Sequence, residues 1–295
     1  MLHFAEKVTG QDYYRRARLK KFLEQRYSSE DYIFAEIHTE ANALSLLEYL
    51  KDAVVLLSRP SFSPFFLEFL KKHNCSIIYD RTDRWNYSEL STKDFDVPTM
   101  KIADAVTCSA KVLYEDAISL NKNSFFIPNG CEIHDFVLSE KYSKKTAVYI
   151  GQVGKIDLDV LHKIAVANPD WSIKLIGLNE IEEFPLKDSN IELCEFMDQK
   201  LIYDELKKCH VGLVPFVKSE YTDGQLPLKL LQYLDAHLPV LQSNCPASKD
   251  YDNVYDVNDT VCLDDLLKED FKPIKQDISW ETAFKKIKSI IDSYR

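Results

Sequence analysis

At 295 residues, 45% of them hydrophobic and 28% charged, the chain is long for one α/β domain and suits two of about 140 residues, each able to bury a core. A net charge of −10 argues against a protein that coats nucleic acid. Seven cysteines without a C-x-x-C pair point to reduced, buried thiols, and no run approaches 18 apolar residues, which excludes a disulfide or zinc framework and a membrane-spanning helix.

Short β-branched or aromatic runs alternate with helical stretches along the whole chain. Strands are expected at residues 1–5, 32–37, 53–58, 76–80, 105–109 and 124–128, with helices at 11–26, 41–51, 63–73, 97–103 and 110–120 between them. Continuous apolar strands joined by helical crossovers indicate a parallel sheet covered on both faces, and six of them complete one Rossmann-like half. A polar, charged stretch at 137–146 is the expected linker and hinge. A second series follows: strands at 147–151, 172–177, 190–195, 211–216, 239–243 and 261–263, with helices at 158–167, 199–208 and 227–237. The expected domains are therefore 1–138 and 139–278. Ser279 is the expected cap of a last helix, 279–295, that packs back on the first half.

Chemistry-bearing residues are sparse in the first half. Gly10 follows the first strand, where a glycine lets a loop approach phosphate; a plain turn reads equally well. Arg59 follows the third strand and suits an anionic group or a surface ion pair. Asp80, Asp83 and Arg84 come at the carboxyl end of the fourth, where open α/β sheets place their sites. Asp83 is the candidate general base, its alternative a loop carboxylate. Arg15, Arg16, Arg18, Lys20 and Lys21 cluster on the first helix, either as a solvated face or as a patch for anionic lipid.

The second half is more informative. Gly151 and Gly154, followed by Lys155, lie where a strand turns into a helix, a setting for close backbone approach to an anion or for a tight turn. Pro227 stands where a helix starts, so the N–H groups of Leu228 and Lys229 and the positive helix end suit a diphosphate. Gln232, one turn on, suits a ribose hydroxyl. An ordinary amphipathic helix accounts for the same residues. Two D-x-D strings, Asp157/Asp159 and Asp250/Asp252, lack the setting of a metal site, and no metal is expected.

The segments IPNG (127–130), YIGQVGK (149–155), VGLVPF (211–216) and above all PLKLLQYLDAHLPVL (227–241), with a late SWE (279–281), resemble the GT-B glycosyltransferases of the group 1, family 4-like kind. The resemblance covers the C-terminal half well and the N-terminal half loosely. It implies an α/β fold of two Rossmann-like domains facing each other across a cleft. By the same resemblance Gly151 and Gly154 line the cleft for a nucleoside-diphosphate sugar, UDP-sugar favoured, Leu228 and Lys229 hold its diphosphate, and Glu195 and Phe196 flank the base; Gly10, Lys155 and Gln232 are the further expected donor contacts. On position alone, Asp83 is the expected base of an inverting transfer, and Arg59 and Arg84 are the expected acceptor or anion contacts. The sequence departs from the family pattern at Gly224 and Gln232, where a pair of glutamates is usual, and at His237, where a glycine is usual.

The expected function is metal-independent and cofactor-free transfer of a sugar to a saccharide or lipid-linked saccharide, in bacterial surface polysaccharide or glycan synthesis. The expected location is the cytoplasm, peripheral to the inner face of the membrane. A nucleotide-sugar epimerase and a non-catalytic sugar-nucleotide-binding subunit are the alternatives.

Overall fold

The computed structural model describes residues 1–5, 15–29, 31, 33–36, 44, 47–88, 92–135, 140–177 and 184–295. Gly10 lies outside them, as do parts of the helices expected at 11–26 and 41–51 and of the polar stretch at 137–146. Two compact units divide the chain: Met1–Gly130 with Ser279–Arg295, and Cys131–Ile278.

The first unit is built on six parallel strands: β1 (Leu2–Ala5), β2 (Ile33–Glu36), β3 (Val54–Leu57), β4 (Ser76–Arg81), β5 (Ala105–Cys108) and β6 (Ser124–Phe126), in the order β2-β1-β3-β4-β5-β6. All four residues of β3 and of β5 are buried, as continuous apolar strands between helical layers must be. The described helices are α1 (Arg15–Glu24), α2 (Leu47–Leu50), α3 (Pro64–Lys72), α4 (Asp96–Ile102) and α5 (Lys111–Leu120). Helix α3 starts where Ser63 accepts a hydrogen bond from the Phe66 N–H at 3.2 Å and Pro64 fills the first turn.

Arg15 corrects the reading of the basic run. It is 4% exposed, and its guanidinium grips the fully buried Asp80 at 2.9 to 3.2 Å while donating to the carbonyls of Ile127 and Pro128. Thr107 donates to the same carboxylate at 2.6 Å. A charge so enclosed cannot face lipid, and Asp80 cannot serve as a base. Arg16, Arg18 and Lys20 are half-buried and Lys21 exposed.

The second unit carries β7 (Thr146–Ile150), β8 (Ser172–Ile176), β9 (Ile191–Cys194), β10 (Val211–Pro215), β11 (Val240–Ser243) and β12 (Val254–Asp256), all parallel, in the order β12-β11-β10-β7-β8-β9. Its described helices are α6 (Leu158–Ala167), α7 (Gln199–Leu206), the single turn α8 (Glu220–Asp223) and α9 (Leu228–Asp235). The strand expected at 261–263 is not one. Its backbone runs past the end of α6, where the Asn168 amide donates to Val261 O and its carbonyl accepts from Leu263 N–H. The sixth strand is Val254–Asp256, paired with β11. Residues 140–146 are fastened to the second unit: Lys141 donates to Cys209 O, Tyr142 to Glu205, and Lys145 pairs with Asp264 at 2.7 Å.

Helix α9 ends in a 6→1 and 5→2 pair of hydrogen bonds, Leu238 N–H to Tyr233 O and His237 N–H to Leu234 O, with His237 at φ +56°. The last helix, α10 (Trp280–Ser293), begins at the Ser279 cap and belongs to the first unit. There Phe284 meets Phe22 at 5.6 Å, Glu281 pairs with Arg26 at 2.8 Å and Tyr294 donates to Asp104 O. Among the described residues no helix is long and apolar enough to cross a membrane.

Candidate functional site

The order in which strands are added to the second sheet reverses between β7 and β10: the chain proceeds β7, β8, β9 to one side, then returns to lay β10, β11 and β12 on the other. Open α/β sheets offer a crevice at the carboxyl ends of the strands flanking such a reversal. Here the ladder between β7 and β10 stops at Val148–Gly212, whereas β7 stays paired with β8 as far as Ile150–Ile176.

Three features converge on that crevice. Gly151, directly after β7, has φ +123°, and Gly177, directly after β8, has φ +99°. A Cβ on Gly177 would lie 3.5 to 3.7 Å from the Gly151 backbone, so two glycines stack at the rim. A Cβ on Gly151 would stand 2.8 Å from Lys229 Nζ. The ammonium therefore occupies the space that a side chain at 151 would fill.

Lys229 lies in the first turn of α9, half-buried, with its Nζ 3.7 Å from the centre of the Tyr149 ring and 5.3 Å from that of Phe216. No carboxylate or hydrogen-bond acceptor among the described residues partners it. Burial and the neighbouring Lys155 charge hold its pKa well below the ordinary lysine range. Pro227 takes the cap position (ψ 132°) and has no side-chain acceptor to offer, so the N–H groups of Leu228 and Lys229 open α9 without an internal partner. An anion at this place would find a desolvated cation, two open N–H donors and a positive helix end together.

The other expected donor contacts are distributed around this centre. Lys155, in the turn after Gly154, donates to Gln225 Oε1 at 3.1 Å and lies 5.5 Å from the Tyr221 ring. Nothing stands within 4 Å of a Cβ built on Gly154. Gln232 is half-buried with its side-chain amide unbonded among the described residues. Glu195 and Phe196 are exposed beyond the end of β9. That edge strand is two strand spacings, about 10 Å, from β7. No group of three or more His, Cys, Asp or Glu side chains among the described residues is placed for a metal ion. Asp157 caps α6, and Asp252 pairs with Lys275 at 2.9 Å.

Asp83, Arg84 and Arg59 belong to the first unit, at the carboxyl ends of β4 and β3. Asp83 is half-buried and accepts from Thr82 Oγ1 at 3.0 Å. Arg84 is engaged by Asp116 at 2.9 Å, and the Arg59 guanidinium lies 5.0 Å from the centre of the Trp85 ring.

Sequence reasoning passed over Tyr149, Gly177, Gly212 and Tyr233. Gly177 sits in a strand-end LIG like the YIG ending in Gly151, and that likeness was the available signal.

No family model matches the chain. A protein of Bacillus subtilis (strain 168), TuaH, which carries the name of a teichuronic acid biosynthesis glycosyltransferase, is 21% identical over 211 residues, 61% of this chain and 53% of its own; the chain thus spans about half the length of that relative. The apo lipopolysaccharide outer core galactosyltransferase WaaB superposes with a TM-score of 0.69 at 14% identity, covering 100% of this chain and 99% of WaaB. HepE of Anabaena, solved in complex with UDP-glucose, gives 0.60 at 10% identity over 99% of both chains. The chain has the fold of the GT-B glycosyltransferases, with a Rossmann-like parallel sheet in each of its two units.

Proposed function

We propose that the protein is a glycosyltransferase that moves a sugar from a nucleoside-diphosphate donor, a UDP-sugar in preference, to a saccharide or lipid-linked saccharide in surface polysaccharide or glycan synthesis. One observation carries the donor side: the desolvated Lys229 ammonium, with no carboxylate partner among the described residues, beside Gly151 where the strand order of the second sheet reverses. The names of TuaH and WaaB and the UDP-glucose bound to HepE support the same reading.

In this proposal the Cys131–Ile278 unit binds the diphosphate. Lys229 and the N–H groups of Leu228 and Lys229 meet the charge that develops as the bond from the sugar C1 to the phosphate oxygen breaks. Lys155 adds to the positive potential, Gln232 reaches the ribose, and Glu195 and Phe196 flank the base. These groups take the charge of the leaving diphosphate without a metal ion or other cofactor. The first unit binds the acceptor near Arg59 and Arg84. Asp83 accepts the hydroxyl proton as the new bond to C1 forms.

A panel of UDP- and GDP-sugars with and without saccharide acceptors tests this. Expected are a nucleotide-dependent rise in Tm and release of nucleoside diphosphate with transfer or hydrolysis. Isomer exchange of the donor would identify an epimerase, Tm elevation without turnover a binding subunit, and no response to any nucleotide would refute the donor site.

We also propose peripheral contact with an anionic membrane through Arg16, Arg18, Lys20 and Lys21. The unit that carries them has 21 Lys and Arg against 20 Asp and Glu, whereas the second has 16 against 27. Attraction to anionic lipid therefore falls to the first unit. Equal flotation with neutral and anionic liposomes would refute it.

A further inference from the structure

The first turn of α9 has to be held at one height against β7 for Lys229 to meet Gly151, and the packing beneath it shows how. Tyr233 is fully buried one helical turn after Lys229, and its phenolic oxygen accepts a hydrogen bond from the Ile150 N–H at 2.9 Å. Ile150 is the residue between Tyr149 and Gly151, the two against which the Lys229 ammonium packs. A single helix therefore grips three consecutive residues at the end of β7, by the ammonium on either side and by the phenol in the middle.

Two sequence features make this grip possible. The β7–β10 ladder ends at Val148–Gly212, so Ile150 N–H has no strand carbonyl to bond and would otherwise be a buried orphan donor. Gly212 gives the ring its path: a Cβ there would stand 2.4 Å from Tyr233 Cδ2 and 2.5 Å from Cγ. Gly212 does not have a positive φ, so its lack of a side chain serves close approach and not backbone conformation.

We propose that the Tyr233 hydroxyl is a positioning residue for donor binding: through Ile150 N–H it fixes the end of β7 against α9, so that Lys229 and Gly151 form the diphosphate site. This rests on the donor-site reading above. The test is a double-mutant cycle on the full chain, with UDP affinity measured by calorimetry for the parent, Tyr233→Phe, Lys229→Met and the double variant. Tyr233→Phe keeps the ring and removes only the acceptor, and it should weaken UDP binding about fivefold. With Lys229 already replaced, the same change should cost less than about twofold, because the group it positions is gone. Thermal unfolding without nucleotide serves as the control, since a purely structural role lowers Tm alike in both backgrounds and leaves UDP affinity unmoved. Gly212→Ala, which pushes the ring off its path, should reproduce the loss of affinity. An equal loss in both backgrounds, or none in either, overturns the positioning role. If Lys229→Met alone leaves UDP affinity unchanged, the donor site falls and the positioning role with it.

Discussion

Replacing Lys229 by Met removes the charge while keeping a chain of similar length over the Tyr149 ring. The ammonium has no carboxylate to lose among the described residues, so the substitution orphans no anion there. The cost of holding an unpaired, desolvated cation disappears, and the lost cation–π attraction, about 1 to 2 kcal/mol, offsets part of that gain. The Tm without nucleotide should therefore equal or exceed the parent's. UDP binding should behave oppositely. A charge-assisted hydrogen bond to phosphate is worth about 1.5–3 kcal/mol, so Kd should rise about 10- to 150-fold. The pH dependence follows from the lowered pKa of Lys229 in the free protein. Bound diphosphate favours the ammonium and raises that pKa, so binding takes up a proton at any pH between the two values. UDP affinity must then fall as pH rises through that window, and stability without nucleotide must rise from the lowered pKa towards the ordinary lysine value of about 10.4, because the unfolded chain holds the extra proton. In the Met variant this contribution to both slopes disappears. Calorimetry in two buffers of different ionisation enthalpy measures the proton uptake directly. A Met variant that binds UDP like the parent, or a parent that binds with no proton uptake across the alkaline range, refutes the reasoning.

Gly151→Ala forces a side chain into φ +123° and against Lys229 Nζ. It should destabilise the protein by about 1–3 kcal/mol in urea titrations and weaken UDP binding as well. Arg15→Met leaves the fully buried Asp80 carboxylate without its ion-pair partner. It should cost about 3–5 kcal/mol by the same titration while leaving liposome flotation unchanged. His237→Gly relieves an L-residue at φ +56° but loses the ring stacked on Phe271. It should raise stability by no more than about 1 kcal/mol, read as a small increase in Tm.

Eleven of the twelve described strands coincide with the expected apolar runs, and those buried along their whole length, β3, β5, β7, β10 and β11, have little choice of composition. The signal fails at one edge of the second sheet. Val254–Asp256 is a half-buried edge strand with a polar end, whereas the apolar VCL at 261–263 is loop packed under the end of α6. Lys229 and Gly151 were legible because both sit at boundaries marked by proline and glycine. Tyr233 was not, because its partner Ile150 is 83 residues away and the gap it fills exists only once β7 and β10 part. Arg15 failed for a related reason. Helical spacing reports which face a residue occupies, and the burial of this guanidinium depends on an aspartate 65 positions later.

His237 occupies the place of the glycine in the family pattern that the sequence resembles, and the hydrogen bonds that close α9 form around it all the same. What that position demands is a left-handed backbone, which glycine adopts freely and histidine at modest cost. A residue able to take that backbone suffices to close the helix here. Pattern searches that insist on glycine would discard chains whose helix termination is intact, and a search written in terms of backbone geometry would keep them.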